Sequence, residues 1–161
     1  MTDLPLLTEI SLPAESDTTA LGAALGKLAR PGDVVALYGP LGAGKTTLAR
    51  GFITARTEIA EDVVSPTFTL VQVYGAEEDD DGAPIWHFDL YRLKHANEVL
   101  ELGWEEALSG GISLVEWPER LGTMLPAARL DVVLSTDGAS RQAKLYGGAK
   151  WKDRIAVMGN V

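Results

Sequence analysis

Eight consecutive residues, Gly39-Pro40-Leu41-Gly42-Ala43-Gly44-Lys45-Thr46, satisfy the pattern G-x-x-x-x-G-K-[ST]. That pattern narrows the fold more than any other stretch of the chain. Its glycines let the backbone turn so that successive N–H groups point inward at phosphate oxygens. A helix opening at the end of the loop adds its N-terminal partial charge. Lys45 brings a full charge to the terminal phosphates, and the Thr46 hydroxyl can ligate Mg²⁺. A random chain of this length matches about once in a few hundred. The flanks strengthen the match: the apolar run Val34 to Tyr38 precedes it, and the helix-compatible Thr47-Leu48-Ala49-Arg50-Gly51-Phe52 follows. Strand, glycine loop and helix in that order predict a phosphate-binding loop.

The rest of the chain agrees with a small α/β protein. Its 161 residues suit one domain spanning 1–161 with one core, and 46% apolar with 23% charged residues is ordinary for a globular chain. No run approaches the roughly 20 apolar residues of a membrane span. The N-terminus lacks a basic region and has only a short apolar run, unlike a signal peptide, so a cytoplasmic location is expected. Cysteine is absent, which excludes disulfides, thiolate metal sites and cysteine nucleophiles. The net charge is −9, with 14 Lys and Arg in no cluster, which disfavours tight direct binding of nucleic acid.

Periodicity predicts a strand over Thr8 to Leu12 and a helix, capped by Asp17 or Ser16, to about Ala29. A buried strand follows over Val34 to Tyr38, then a helix from Gly44 to about Ala55. Thr67 to Tyr74 and Ile85 to Asp89 read as strands around an acidic stretch, Glu77 to Asp81, itself read as a solvated loop. Asn97 to Leu108 reads as a helix broken near Gly103, and Ile112 to Trp117 as another apolar strand. Pro118 suits the first position of a short helix. Leu130 to Thr136 and Arg141 to Tyr146 read as a hairpin around Asp137-Gly138. The expectation is an α/β fold with a mostly parallel sheet flanked by helices and an antiparallel C-terminal hairpin.

A phosphate-binding loop needs a carboxylate on a nearby strand to complete a magnesium site. Ile112-Ser113-Leu114-Val115-Glu116 ends in one, with Glu116 where Asp is more usual. Asp89 ends another strand, where ligands of open α/β sheets sit; it can orient a water, cap a loop or pair with Arg92. His87, ahead of a Phe in an apolar strand, reads as a core histidine. Ser65-Pro66-Thr67-Phe68-Thr69 reads either as a plain turn or as a switch that senses a γ-phosphate. Trp117 can pack in the core or cover a nucleotide.

Taken together, Gly42-Ala43-Gly44-Lys45-Thr46-Thr47, Ser65-Pro66-Thr67-Phe68, His87-Phe88-Asp89-Leu90-Tyr91-Arg92-Leu93 and Val115-Glu116-Trp117-Pro118 resemble the TsaE family in order and spacing. The resemblance runs from about Leu12 to about Tyr146. It implies a small cytoplasmic P-loop ATPase that binds ATP or ADP with Mg²⁺. Such proteins act with TsaD and TsaB in making threonylcarbamoyladenosine in tRNA; with this chain's net charge of −9, contact with tRNA is expected only indirectly, through those partners. The family pattern makes Lys45 the phosphate contact, Thr46 and Glu116 the metal ligands, Asp89 the acid of hydrolysis and Thr67 a switch residue. Gly39, Leu41, Gly42, Ala43, Gly44 and Thr47 join the phosphate cradle. The adenine end is expected between Leu12 to Asp17, with Glu15, and the hairpin near Arg141, with Trp117 beside the nucleotide. Pro40 departs from the family, which often has an acid there, and the tail 149–161 lies outside the resemblance.

Other readings fit less well. A small-molecule kinase usually brings several arginines on a lid, and no such segment follows Glu116. A guanine-reading N-K-x-D is absent, since Glu98 follows Asn97. A partner that binds ADP without turnover is the remaining alternative.

Overall fold

The apolar run Val34–Tyr38 becomes a central strand because every side chain it carries can be buried from both faces of a sheet. The computed structural model describes residues 2–57, 66, 69–75, 83–138 and 140–158. In chain order its elements are strand β1 (Leu6–Leu12), helix α1 (Glu15–Leu28), β2 (Val34–Tyr38), α2 (Lys45–Thr57), β3 (Val71–Tyr74) and β4 (Ile85–Asp89). A 3-10 helix over Ala96–Leu102 leads into α3 (Trp104–Gly110), then β5 (Ile112–Glu116) and a second 3-10 helix over Pro118–Met124. The chain closes with β6 (Leu130–Asp137), β7 (Ser140–Tyr146) and α4 (Ala149–Ala156).

The seven strands form one sheet in the order β1-β7-β6-β2-β5-β4-β3. The four strands β6, β2, β5 and β4 run parallel, so the expected parallel sheet occupies the centre. Antiparallel pairing takes both edges rather than one: β7 and β1 on one side, β3 on the other. The expected hairpin forms, with Asp137 opposite Ser140 and Gly138 in its turn at φ 64°.

Two cores cover the two faces. On one, Leu21 and Leu25 of α1, Leu48 and Phe52 of α2, and Trp151 of α4 pack on Val35, Leu37 and Leu114. On the other, Val99, Trp104, Ala107 and Leu121 pack on Val34, Phe88 and Val115. Helices α1 and α2 touch through their backbones. A Cβ at Gly22 would stand 2.1 Å from the Leu48 carbonyl oxygen, and one at Gly51 would stand 2.3 Å from that of Thr19. Arg56 of α2 donates to the Gly26 and Ala29 carbonyls at 3.0 and 2.9 Å, satisfying the end of α1.

Several boundaries differ from expectation for local reasons. Ala14, not Ser16 or Asp17, is the N-cap of α1; Asp17 lies in the first turn and accepts from the Ala14 amide at 2.9 Å. Strand β3 starts at Val71 because Leu70 takes φ 68°, a left-handed turn that no strand continues through. Gly103, at φ 91°, breaks the helical segment where expected, but the piece before it is 3-10. The tail, which carried no expectation, forms α4. Its Trp151 is 2% exposed, and Lys150 and Arg154 pair with the buried Asp33. The acidic stretch Glu77 to Asp81 lies outside the described residues. Among the described residues no helix is long and apolar enough to cross a membrane.

Candidate functional site

Parallel pairing brings the carboxyl ends of β2, β4 and β5 to one end of the sheet. There β2 runs into the glycine loop, and Asp89 of β4 stands opposite Glu116 of β5 in register. Gly39 turns the chain out of β2 at φ 151°, and a Cβ there would meet the Leu134 carbonyl oxygen at 2.9 Å. Gly44, at φ 103°, leads directly into α2, so the first amides of that helix face the space above the loop.

That space is a cleft of about 280 Å³. Leu41, Gly42 and Gly44 of the loop line it, with Lys45, Thr46 and Thr47 of α2. Asp89, Glu116, Trp117 and Arg141 close the other walls. Ala43 is buried beneath, its amide donating to the Pro40 carbonyl at 3.1 Å. Arg141 reaches from β7 to the Gly42 carbonyl at 3.3 Å. Glu15 is exposed on the first turn of α1 and is not part of the cleft wall. Thr67, like Ser65 before it, lies outside the described residues.

The Lys45 ammonium folds back into the loop. It donates to the Gly39 carbonyl and, at 3.2 Å, to that of Pro40, and it sits 3.9 Å from the centre of the Trp117 ring. Burial lowers its pKa below the ordinary value, and the opposing pull of Glu116, Glu119 and Asp89 only partly compensates. Trp117 leaves β5 at φ 60° and ψ 50°, a left-handed conformation that costs a non-glycine residue about 1–2 kcal/mol. The turn places its indole over Lys45 and against Tyr91, with ring centres 4.9 Å apart. The structure thus puts Trp117 at the cleft rather than deep in a core.

Thr46 donates its hydroxyl to both oxygens of Glu116, at 3.1 and 3.3 Å. This donor set of one hydroxyl and one carboxylate beside a phosphate cradle fits magnesium, which keeps several waters and takes its other ligands from phosphates. No cluster of three or more His, Cys, Asp or Glu that could cage a metal occurs among the described residues. Asp89 is 4% exposed and accepts from the Tyr91 amide at 3.1 Å, which holds its carboxylate at the cleft wall.

One residue was assigned too little by the sequence. His87 is fully buried, as expected of a core histidine, yet its Nε2 lies 2.7 Å from Glu116 Oε2. The signal was present in the spacing: His87 and Asp89 are two apart on a strand and share a face.

Comparison with known proteins gives a consistent result. The protein-family model described as "Threonylcarbamoyl adenosine biosynthesis protein TsaE" matches residues 12–144. A tRNA threonylcarbamoyladenosine biosynthesis protein TsaE from Rickettsia conorii is 40% identical over 77% of this chain and 69% of its own length. The protein of that name from Nostoc is 40% identical over 86% of this chain and 85% of its own. The crystal structure of Bacillus subtilis YdiB superposes with a TM-score of 0.77 at 27% identity, covering 98% of this chain and 97% of that one. With the family model spanning residues 12–144 and relatives 40% identical over most of its length, this chain belongs to the TsaE family, whose members take part in tRNA threonylcarbamoyladenosine biosynthesis.

Proposed function

We propose that the chain binds ATP and ADP with Mg²⁺ and hydrolyses ATP, weakly alone and faster with TsaB and TsaD, so that the modification complex can turn over repeatedly. The observation that carries this reading is the convergence of Lys45, Thr46, Glu116 and Asp89 on one cleft above a glycine loop. Lys45 swings from the Gly39 and Pro40 carbonyls to the terminal phosphates, exchanging neutral acceptors for charged ones. Thr46 and Glu116 would hold a magnesium ion, which would supply neutralisation of the phosphate charge. Asp89, beside Glu116 on the neighbouring strand, orients the attacking water. Arg141 and Trp117 flank the nucleotide, and Thr67 is the switch residue. The net charge of −9 supports contact with tRNA through the partners rather than directly.

Steady-state ATP hydrolysis by the pure protein, with and without TsaB and TsaD of the same source, tests this reading. A strong rise with both partners is expected. ATP binding with a rate that stays flat would leave a nucleotide-dependent partner without turnover as the better account.

A further inference from the structure

Glu116 can serve as a metal ligand only if its carboxylate is held in place, and His87 is bonded to that carboxylate. A glutamate carries one more methylene than the aspartate usual at this strand end, so its carboxylate has an extra rotatable bond and a wider range of positions. A metal ligand that wanders binds weakly. Here the range is closed from both sides. Thr46 bridges the two carboxylate oxygens from the cleft, and His87 holds Oε2 from beneath at 2.7 Å. The imidazole is 0% exposed and the carboxylate 3%. Among the described residues His87 Nδ1 has no hydrogen-bond partner, so the Nε2–H tautomer, which donates to the carboxylate and leaves Nδ1 a bare acceptor, suits the site. The ring is itself positioned by β4, whose His87 and Asp89 point to the same face.

We infer that His87 is a positioning residue of the magnesium site: it clamps Glu116 so that a glutamate can serve where an aspartate is usual. The inference rests on the proposed Mg²⁺ role of Glu116. Partners of metal ligands of this kind typically change metal affinity by about ten- to a hundredfold when removed. Phosphate contacts made by Lys45 and the loop do not pass through Glu116, so nucleotide affinity without metal belongs to a separate part of the cleft.

Calorimetric titration of ADP into the full chain, in excess Mg²⁺ and in chelator, separates the two parts, with Mn²⁺ binding followed by electron paramagnetic resonance as a second readout. His87→Leu removes the donor, and His87→Gln returns an N–H near the position of Nε2. The expected result is a fall of about ten- to a hundredfold in the affinity gained from Mg²⁺ for His87→Leu, an unchanged affinity in chelator, and recovery in His87→Gln. A gain from Mg²⁺ that survives in His87→Leu would overturn the inference. So would an equal loss with and without metal that His87→Gln does not repair, since that marks a purely structural histidine. A wild-type chain whose ADP affinity ignores Mg²⁺ would instead remove the metal reading itself.

Discussion

Replacing Gly22 with alanine sets helix propensity against packing, and the geometry decides the sign. In an open helix the change stabilises by about 1 kcal/mol, because alanine loses less backbone entropy. At Gly22 the new Cβ would lie 2.1 Å from the Leu48 carbonyl oxygen and 3.1 Å from the Phe52 nitrogen, where ordinary contact begins at 3.4 Å. The obstacle is backbone of α2, so no side chain can rotate away. The two helices must part by about 1 Å along a seam that holds Leu21, Leu25, Leu48 and Phe52. Forced shifts of that kind cost typically 1–3 kcal/mol and occasionally more, and the direct backbone collision puts Gly22 at the upper end. The net expectation is a loss of about 2 kcal/mol, or about 4–8 °C in Tm for a chain of this size. Gly110 is the control: it is exposed, ends α3, and has nothing within 4 Å of a new Cβ. Gly110→Ala should gain up to about 0.5 kcal/mol. Thermal and urea unfolding of the two variants measures both signs. A Gly22→Ala protein as stable as Gly110→Ala would refute the reasoning, because it would mean that α1 and α2 are not in backbone contact.

Three further outcomes concern the cleft. Lys45→Ala should weaken ATP binding by roughly ten- to a hundredfold, the worth of about 1.5–3 kcal/mol for a hydrogen bond to a charged group, and abolish turnover; unchanged hydrolysis would sink the site assignment. Asp89→Ala should keep ADP affinity within a few-fold and lose turnover, and a matching loss of both, read by calorimetry beside the hydrolysis rate, would assign Asp89 to binding or folding instead. The free protein holds the Lys45 pKa below its ordinary 10.5 through burial, and a bound phosphate raises it again. ADP binding on the alkaline side should therefore take up a proton and weaken as pH rises between the two values, while an affinity independent of pH up to 10.5 would contradict the depressed pKa. The same shift means the unfolded chain holds more protons in that window, so Lys45 contributes a rise in stability of the free protein with increasing pH there.

What could be read from the sequence was whatever depends on neighbours along the chain. The glycines at 39, 42 and 44, the lysine and threonine after them, and the apolar runs of β2 and β5 each declare a local conformation or a local chemistry. The break at Gly103 and the proline opening the 3-10 helix at Pro118 are of the same kind. Asp89 and Glu116 could be named because each ends an apolar strand. That they face one another required the β4–β5 register, which pairs residues far apart in the chain. The antiparallel edges, the fold of Lys45 onto Gly39 and Trp117, and the burial of Trp151 by the docking of α4 are also long-range outcomes. The clearest case is His87. As one letter in an apolar strand it is a core residue, and it is one. Its bond to Glu116 exists because two strands pair in parallel, at a register that is a property of the whole sheet and of no single segment.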